Sequence, residues 1–291
     1  MERYNRKPLI LTAAAHAARV RIKCGLDQRA SIDTIRVAEQ CGCEVRYLSL
    51  PSLEGIYSPK PRSVIVVGSE RPAGRRAFTC MHELGHHVFG HGMCLDELKT
   101  GKISNAYDPK EFIADLFAAN ILMSKTSILY ALKTRALDPT KLDPIHIFRL
   151  SSFFGVGYTT LIDHMALTLG LLNQHQHDSL KRIKPKDLKA RYGGTSQSEV
   201  IIADSFWQGR AVDMEIGDLL VLHQGAVVED NSRMMKKDFV DGQPIYVAVS
   251  RGYARAFHEH SGWALNIRIA PKQYVGLAQY RFLDNPEEVF V

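Results

Sequence analysis

Apolar and polar residues alternate with helical spacing over residues 77–91, which predicts a buried helix. The apolar residues of this stretch are Phe78, Met81, Leu84, Val88 and Phe89. Gly85 lies among them and lowers helix propensity by roughly 1 kcal/mol relative to alanine. A glycine kept there predicts that another element packs closely against the helix.

The elements around this helix follow from the same kind of pattern. An amphipathic first helix is predicted within residues 1–25, and a second at 31–40 with Ser31 as its N-cap. Short strands are predicted at the ranges 44–50, 55–57 and 63–68. A further helix is predicted at 108–123, because Asp108 can cap it and proline suits its first position. A small sheet therefore leads into the central helix, and its edge strand could align an extended peptide.

The second half of the chain changes character twice. Residues 125–172 predict three helices broken at 137–139 and 155–157, and the last break has the central glycine of a helix-turn-helix. Residues 173–191 are rich in lysine and arginine, and His175 and His177 are expected to be exposed there. From residue 198 onward the pattern predicts a mixed α/β domain. Its expected elements are a helix at 199–207 and strands at 218–222, 245–249, 265–269 and 274–276.

These patterns predict an α+β protein with four segments. Residues 1–124 form the domain that contains the central helix, 125–175 an all-α helix-turn-helix-like domain, 176–197 a basic linker and 198–291 the mixed α/β domain. In the last domain the aromatic residues could line a pocket for a small-molecule ligand, but core packing is the default explanation for them. These residues are Trp207, Phe257, Trp263 and Tyr280.

Composition changes this picture little. The chain has 291 residues, 45% of them apolar and 23% charged, as in ordinary globular proteins. A net charge of +6 permits an anionic partner such as nucleic acid without requiring one. Five cysteines, without a C-x-x-C spacing, fit a reducing compartment. The first 25 residues superficially resemble a signal peptide, but the helical pattern continues through Arg19 and Arg21. We expect a cytoplasmic protein that does not contact a membrane.

The central helix carries the chemistry. Residues four apart share a helix face, so His82 and His86 can present both imidazoles to one metal ion. Glu83 points about a quarter turn away, where it could accept a proton from a metal-bound water. The alternative is a chance H-E-x-x-H sequence on an ordinary core helix. A catalytic Zn²⁺ also needs a third protein ligand and an open fourth position.

Glu111 is the predicted third ligand, on the helix at 108–123. Asp115, one turn further on, could hold the second ring nitrogen of a ligand histidine and so fix its tautomer. The alternative for both is a solvated acid on a surface helix. His91 lies one residue out of register for the third histidine of the metzincin pattern, so we do not expect it to bind the metal. A group that stabilises the oxyanion is expected, and Tyr107 is merely the phenol nearest to Glu111 in sequence.

Several motifs together resemble those of the ImmA/IrrE metallopeptidases. The matching residues are Arg76-Ala77-Phe78-Thr79, His82-Glu83-Leu84-Gly85-His86-His87, Glu111-x-x-Ala114-Asp115-x-Phe117-Ala118-Ala119 and Leu122-Met123. Ser124 departs from the proline that many members have at that position. The resemblance implies a zinc metallopeptidase-like domain of gluzincin-like fold in residues 1–124, a Zn²⁺ cofactor and a GAF-like C-terminal domain. It also implies a helix-turn-helix repressor as substrate, whose cleavage induces a radiation or DNA-damage response.

Two other functions remain open from the residues. One is a DNA-binding transcriptional activator whose metal site is structural or vestigial, and the other is an adaptor that senses a ligand through its last domain. Glu83 argues against the DNA-binding activator, because a structural metal site needs no general base. The second helix of the helix-turn-helix-like pair has no arginine or lysine over residues 158–165, so direct DNA binding is expected to be weak.

Overall fold

The computed structural model describes residues 6–97, 108–229 and 232–284. The fold is mixed α+β with three β-sheets. The chain divides into an N-terminal unit and a C-terminal unit. The N-terminal unit extends to Arg135 and also includes Phe154–Val156 and Val275–Ala278. The C-terminal unit contains Ala136–Phe153, Gly157–Tyr274 and the chain from Gln279.

The N-terminal unit combines five helices and one five-stranded sheet within its described residues. The helices are α1 (Arg6–Lys23), α2 (Thr34–Gln40), α3 (Ala73–Phe89), α4 (Pro109–Leu122) and α5 (Lys125–Thr134). The strands are β1 (Glu44–Leu48), β2 (Leu53–Ser58), β3 (Val64–Gly68), β4 (Cys94–Glu97) and β13 (Gly276–Leu277). All of the helices and strands predicted in this part of the sequence are therefore present.

Capping residues account for where two of these helices begin. The Asp108 side chain accepts a hydrogen bond from the Lys110 backbone N–H, with Pro109 at the first helical position, as predicted. At α2 the prediction of Ser31 as N-cap is wrong. Asp33 holds that position and accepts from the Arg36 N–H, because its extended backbone places the carboxylate over the first turn.

The sheet has the order β13-β1-β3-β2-β4. β1 and β3 run parallel, whereas β2 pairs antiparallel with both β3 and β4. β4 is therefore an edge strand, and it follows directly after α3 in the chain. β13 pairs antiparallel with β1 at the opposite edge. The sequence predicts a peptide-aligning edge in the sheet that precedes α3, whereas the edge strand β4 follows α3 and was not predicted.

Helices α3 and α4 pack closely at Gly85. A Cβ atom added there would lie 3.1 Å from the Ala114 Cα and 3.3 Å from the Phe117 ring. The prediction that an element packs against Gly85 is confirmed. The close approach brings the first turns of α4 next to the H-E-x-x-H residues of α3.

Arg21, on α1, is a fully buried cation that the sequence pattern does not reveal. Its guanidinium donates to the carbonyl oxygens of Ile121 at 2.7 Å, Asp27 at 2.7 Å and Ala30 at 2.5 Å. Ile121 lies in the last turn of α4, whose terminal carbonyls lack partners within the helix. Arg21 thus satisfies a buried acceptor of α4 and two part-buried acceptors in the loop after α1. Burial lowers the pKa of its guanidinium, an effect that the nearby Asp27 opposes.

Arg21→Met is expected to destabilise the N-terminal unit by about 3 kcal/mol, since it removes the donor of the buried Ile121 carbonyl and of the part-buried Ala30 carbonyl. Urea unfolding followed by circular dichroism measures the change. Arg19→Met is the matched control, because Arg19 lies on the same helix and is exposed. Equal stabilities of the two variants would contradict the role given to Arg21.

The C-terminal unit begins with helices. They are α6 (Pro144–Phe154), α7 (Tyr158–Asp163), α8 (Gln174–Arg182) and α9 (Pro185–Ala190), with a π-helix at His164–Thr168 after α7. The predicted breaks at 137–139 and 155–157 are both present. The basic segment predicted as a linker contains α8 and α9. His175 is exposed as predicted, but that prediction is wrong for His177, whose side chain is only 11% exposed and lies 2.8 Å from Asp163.

Two four-stranded sheets follow. One has the order β5-β7-β10-β9 and the other β6-β12-β11-β8. The strands are β5 (Val200–Ala203), β6 (Ala211–Glu215), β7 (Leu219–Leu222), β8 (Val227–Val228), β9 (Met234–Val240), β10 (Gln243–Ala248), β11 (Gly252–Phe257) and β12 (Ala264–Ala270). The pairs β5/β7 and β6/β12 are parallel, and the other pairs are antiparallel.

The prediction of a helix at 199–207 is wrong. Val200–Ala203 form a strand that pairs with β7, and Ser205–Trp207 form a 3-10 turn. β-branched Val200, Ile201 and Ile202 favour the extended conformation. Over the described residues after Ala190 there is no α-helix, so the predicted mixed α/β domain has strands and 3-10 turns instead, and a GAF-like domain is not confirmed. Trp207 and Trp263 are buried.

Hydropathy singles out Pro109–Thr134, within the described residues, as long and apolar enough to cross a membrane. That stretch comprises α4 and α5, which are separate helices, and 67% of its apolar window is buried in the protein. Burial in the core explains its apolar character.

Candidate metal centre

α3 places the H-E-x-x-H residues in the interior of the N-terminal unit. His82, Glu83 and His86 are 3%, 0% and 1% exposed. The two histidines lie four residues apart on one face of α3, and their Nε2 atoms are 3.0 Å apart. α4 supplies Glu111 and Asp115, which are only partly buried, from its first two turns.

His82, His86 and Glu111 converge as the sequence predicts. The two Glu111 carboxylate oxygens lie 3.2 Å from His82 Nε2 and 3.4 Å from His86 Nε2. Tetrahedral zinc bonds of about 2.0–2.1 Å separate ligand atoms by about 3.3 Å. Two imidazole nitrogens and a carboxylate oxygen, all within 4.8 Å of one another, therefore fit a zinc ion that keeps a fourth position open.

Asp115 holds the other nitrogen of His82. The distance from His82 Nδ1 to Asp115 Oδ1 is 2.9 Å, so the carboxylate can accept a hydrogen bond from the Nδ1–H and direct Nε2 towards Glu111. Burial lowers the pKa of His82, but hydrogen bonds with Asp115 and Glu111 outweigh it and raise the pKa to about 10 in the metal-free protein. Metal binding at His82 must therefore release a proton.

Asp115→Ala is expected to lower zinc affinity about 10- to 100-fold, because the His82 ring loses the partner that orients it. Asp115→Asn should lose less zinc affinity than Asp115→Ala, since its amide oxygen can still accept a hydrogen bond from His82 Nδ1–H. Competition with a chromogenic chelator measures both affinities. Unchanged affinity in Asp115→Ala would exclude the orienting role.

Glu83 is a buried acid beside the three ligands. One of its carboxylate oxygens lies within 4.8 Å of a His82 ring nitrogen and of an Asp96 oxygen. Across the described part of the chain, neither Glu83 oxygen has a hydrogen-bond partner. Burial raises the pKa of Glu83 to about 8, with His82 opposing and Asp96 and Glu111 adding to the shift. A carboxylate in this environment is a stronger base than an exposed glutamate.

Gly55, on β2, leaves room for that carboxylate. A Cβ atom added at Gly55 would lie 2.7 Å from Glu83 Oε1 and 2.5 Å from the Thr79 methyl carbon. β2 therefore packs directly on the face of α3 that carries Glu83. Any side chain at position 55 would force the acid to move.

His86 has neighbours at its second nitrogen that were not predicted. His86 Nδ1 lies 2.9 Å from His91 Nδ1 and 3.1 Å from Cys94 Sγ. Burial lowers the pKa of His91 and raises that of the Cys94 thiol to about 11. The described residues thus give each candidate ligand histidine a polar neighbour at Nδ1, whereas the sequence predicted one such neighbour, Asp115, without specifying which histidine it contacts.

The family comparison agrees with this geometry. Residues 38–164 match the model of the IrrE N-terminal-like domain, Peptidase_M78. The matched segment is less than half of the 291 residues, but it contains His82, Glu83, His86 and Glu111. This segment therefore carries a metallopeptidase-family domain with a candidate His-His-Glu metal site.

Other comparisons add little. No curated protein matches the chain. Among solved structures, the crystal structure of the cysteine protease inhibitor EhICP2 from Entamoeba histolytica aligns with 25% of this chain and 96% of its own, at 6% identity and a TM-score of 0.20. Similarity that weak supports no argument about fold or function.

Part of the predicted site lies beyond what the structure describes. Tyr107, the phenol nearest to Glu111 in sequence, is outside the described residues. His91 contacts His86 but does not belong to the cluster of His82, His86 and Glu111 that could hold a metal ion. Gly90 could have indicated this contact from the sequence, because a glycine that ends a helix in a left-handed conformation turns the chain back over the last turn.

Proposed function

We propose that this chain is a zinc-dependent endopeptidase that cleaves and inactivates a helix-turn-helix transcriptional repressor in the cytoplasm. Cleavage would release the repressed genes as a response to radiation or DNA damage. Within the ImmA/IrrE metallopeptidases we infer a role like that of IrrE, the radiation-response protease of deinococci. The observation that carries the enzymatic part is the convergence of His82, His86 and Glu111 beside the unpartnered acid Glu83.

The residues present fit a division of labour for peptide hydrolysis. A zinc ion bound at this site would supply Lewis acidity for the scissile carbonyl and lower the pKa of a water molecule towards about 7. Glu83 would accept a proton from that water and pass it to the leaving amine. Asp115 would keep the His82 tautomer that leaves Nε2 free to bind metal.

Edge strand β4 offers a way to present the peptide. Cys94, on β4, contacts His86, and Asp96, on the same strand, lies close to Glu83 and His82. Within the described residues β4 pairs with β2 alone, so its other edge can add an extended segment by backbone hydrogen bonds. A peptide bound there would run past Glu83. A folded repressor would need to expose an extended segment to bind in this way.

The proposal is tested by co-expressing the chain with a candidate helix-turn-helix repressor and identifying the fragments by mass spectrometry. We expect wild type to yield one pair of fragments, and chelation of zinc to prevent cleavage until zinc is restored. Cleavage that persists in the metal-free protein would contradict a zinc mechanism. If the zinc-loaded protein cleaves other peptides but leaves the repressor intact, the proposed substrate is wrong and the proposed peptidase activity stands.

A DNA-binding activator is the second candidate, because α6 and α7 form a helix pair with a glycine turn at Gly155. Two side chains of α7 are engaged by α8, however. Tyr158 donates its hydroxyl to the Leu180 carbonyl at 2.9 Å, and Asp163 accepts from Lys181 at 2.8 Å. These contacts leave few α7 side chains for base edges, so the enzyme is favoured.

A further inference from the structure

His91 lies just after the C-terminal end of α3. Gly90 caps α3 with a left-handed backbone (φ 66°), and the His91 N–H donates to the His86 carbonyl at 3.0 Å. This helix ending folds the next residue back over the last turn. The His91 ring consequently reaches the His86 ring, with Nδ1 atoms 2.9 Å apart.

The chemistry of a metal-bound histidine determines which way this hydrogen bond runs. If His86 binds zinc through Nε2, its remaining ring proton is on Nδ1, and that N–H needs an acceptor. A neutral His91 with its proton on Nε2 presents a lone pair at Nδ1. We propose that His91 is a positioning residue that accepts the His86 Nδ1–H and holds His86 in the orientation that binds zinc. This inference rests on the zinc site of the proposed function.

Cys94 is the competing partner, since its sulfur lies 3.1 Å from the same nitrogen. A thiol is a weak acceptor, whereas an imidazole nitrogen is a good one. The His91 ring is also held in place, because it stacks on Phe89 with ring centroids 5.7 Å apart and planes 22° apart. Its position is therefore set by packing as well as by the hydrogen bond.

The test measures zinc affinity of the full chain by competition with a chromogenic chelator. His91→Phe keeps a flat ring that can stack on Phe89 but removes the acceptor, and it is expected to bind zinc about 10- to 100-fold more weakly. His91→Asn places an amide oxygen near the lost nitrogen and is expected to recover most of the affinity. Cys94→Ala, which removes the other neighbour of the same atom, is expected to change it less than about threefold.

Each outcome decides the matter. If metal-free His91→Phe and metal-free wild type unfold at the same urea concentration, the fold is kept and any loss of zinc affinity arises at the site. Equal zinc affinity in wild type and His91→Phe, or a large loss in Cys94→Ala alone, would overturn the inference and leave the proposed function standing. A wild-type protein that binds no zinc would overturn both.

Discussion

Replacing Glu83 by glutamine is expected to reduce peptide cleavage by about 10²- to 10⁴-fold, the usual contribution of a general acid–base residue. Glutamine has nearly the same shape but cannot take up the proton. Zinc content should remain at the wild-type level, because Glu83 is not one of the clustered His-His-Glu ligands. Cleavage rates and metal content are measured on the same preparations.

Stability gives an independent view of Glu83→Gln. Burial raises the pKa of Glu83 to about 8, so folding at pH 7 must protonate this acid, a cost that the neutral amide does not carry, and the metal-free variant is expected to be at least as stable as wild type. Glu44→Gln, at an exposed ion pair with Arg46, is the control and should keep full activity. Wild-type cleavage rates in Glu83→Gln would refute the mechanism and favour the DNA-binding alternative.

Replacing Glu111 by alanine is expected to lower zinc affinity by at least about 100-fold, since one of three protein ligands is lost. The effect is visible in folding as well. Zinc at 100 times its dissociation constant stabilises a protein by about 2.7 kcal/mol, whereas a 100-fold weaker site at the same concentration gives only about 0.4 kcal/mol.

Urea unfolding with and without zinc measures this difference. The metal-free variant should unfold close to wild type, because Glu111 lies in the partly exposed first turn of α4. Glu44→Ala is the control, and zinc is expected to stabilise it as much as it stabilises wild type. A wild-type response to zinc in Glu111→Ala would mean that another residue completes the site, and Asp96 would be the first to examine because it clusters with His82 and Glu83.

The sequence predicted the local parts of this site well. The positions of His82 and His86 depend on helical spacing alone, and the Asp108 cap with Pro109 determines where the helix that carries Glu111 begins. Gly85 indicated the close packing of the two helices, which the structure confirms. Each of these predictions needs only residues near one another in the chain.

Long-range contacts were not predictable in this way. Arg21 has the sequence context of an ordinary surface arginine, yet its carbonyl acceptors include Ile121, one hundred residues away. His91 was judged only against a ligand pattern, whereas its observed contact depends on the backbone conformation of Gly90. The strand at Val200–Ala203 was mistaken for a helix although its β-branched residues favour a strand, because the pairing with β7 that fixes its conformation is not visible in a short window of sequence.

The hydrogen bonds of Arg21 also bear on the smallest portion of the chain that can fold. The family match begins at residue 38, after α1, and ends before β13. Yet α1 supplies the guanidinium that satisfies the end of α4, and β13 covers the free side of β1. A fragment limited to the matched residues would keep every predicted ligand and lose both supports. The matched region is therefore smaller than the part of the chain whose contacts support the candidate metal site.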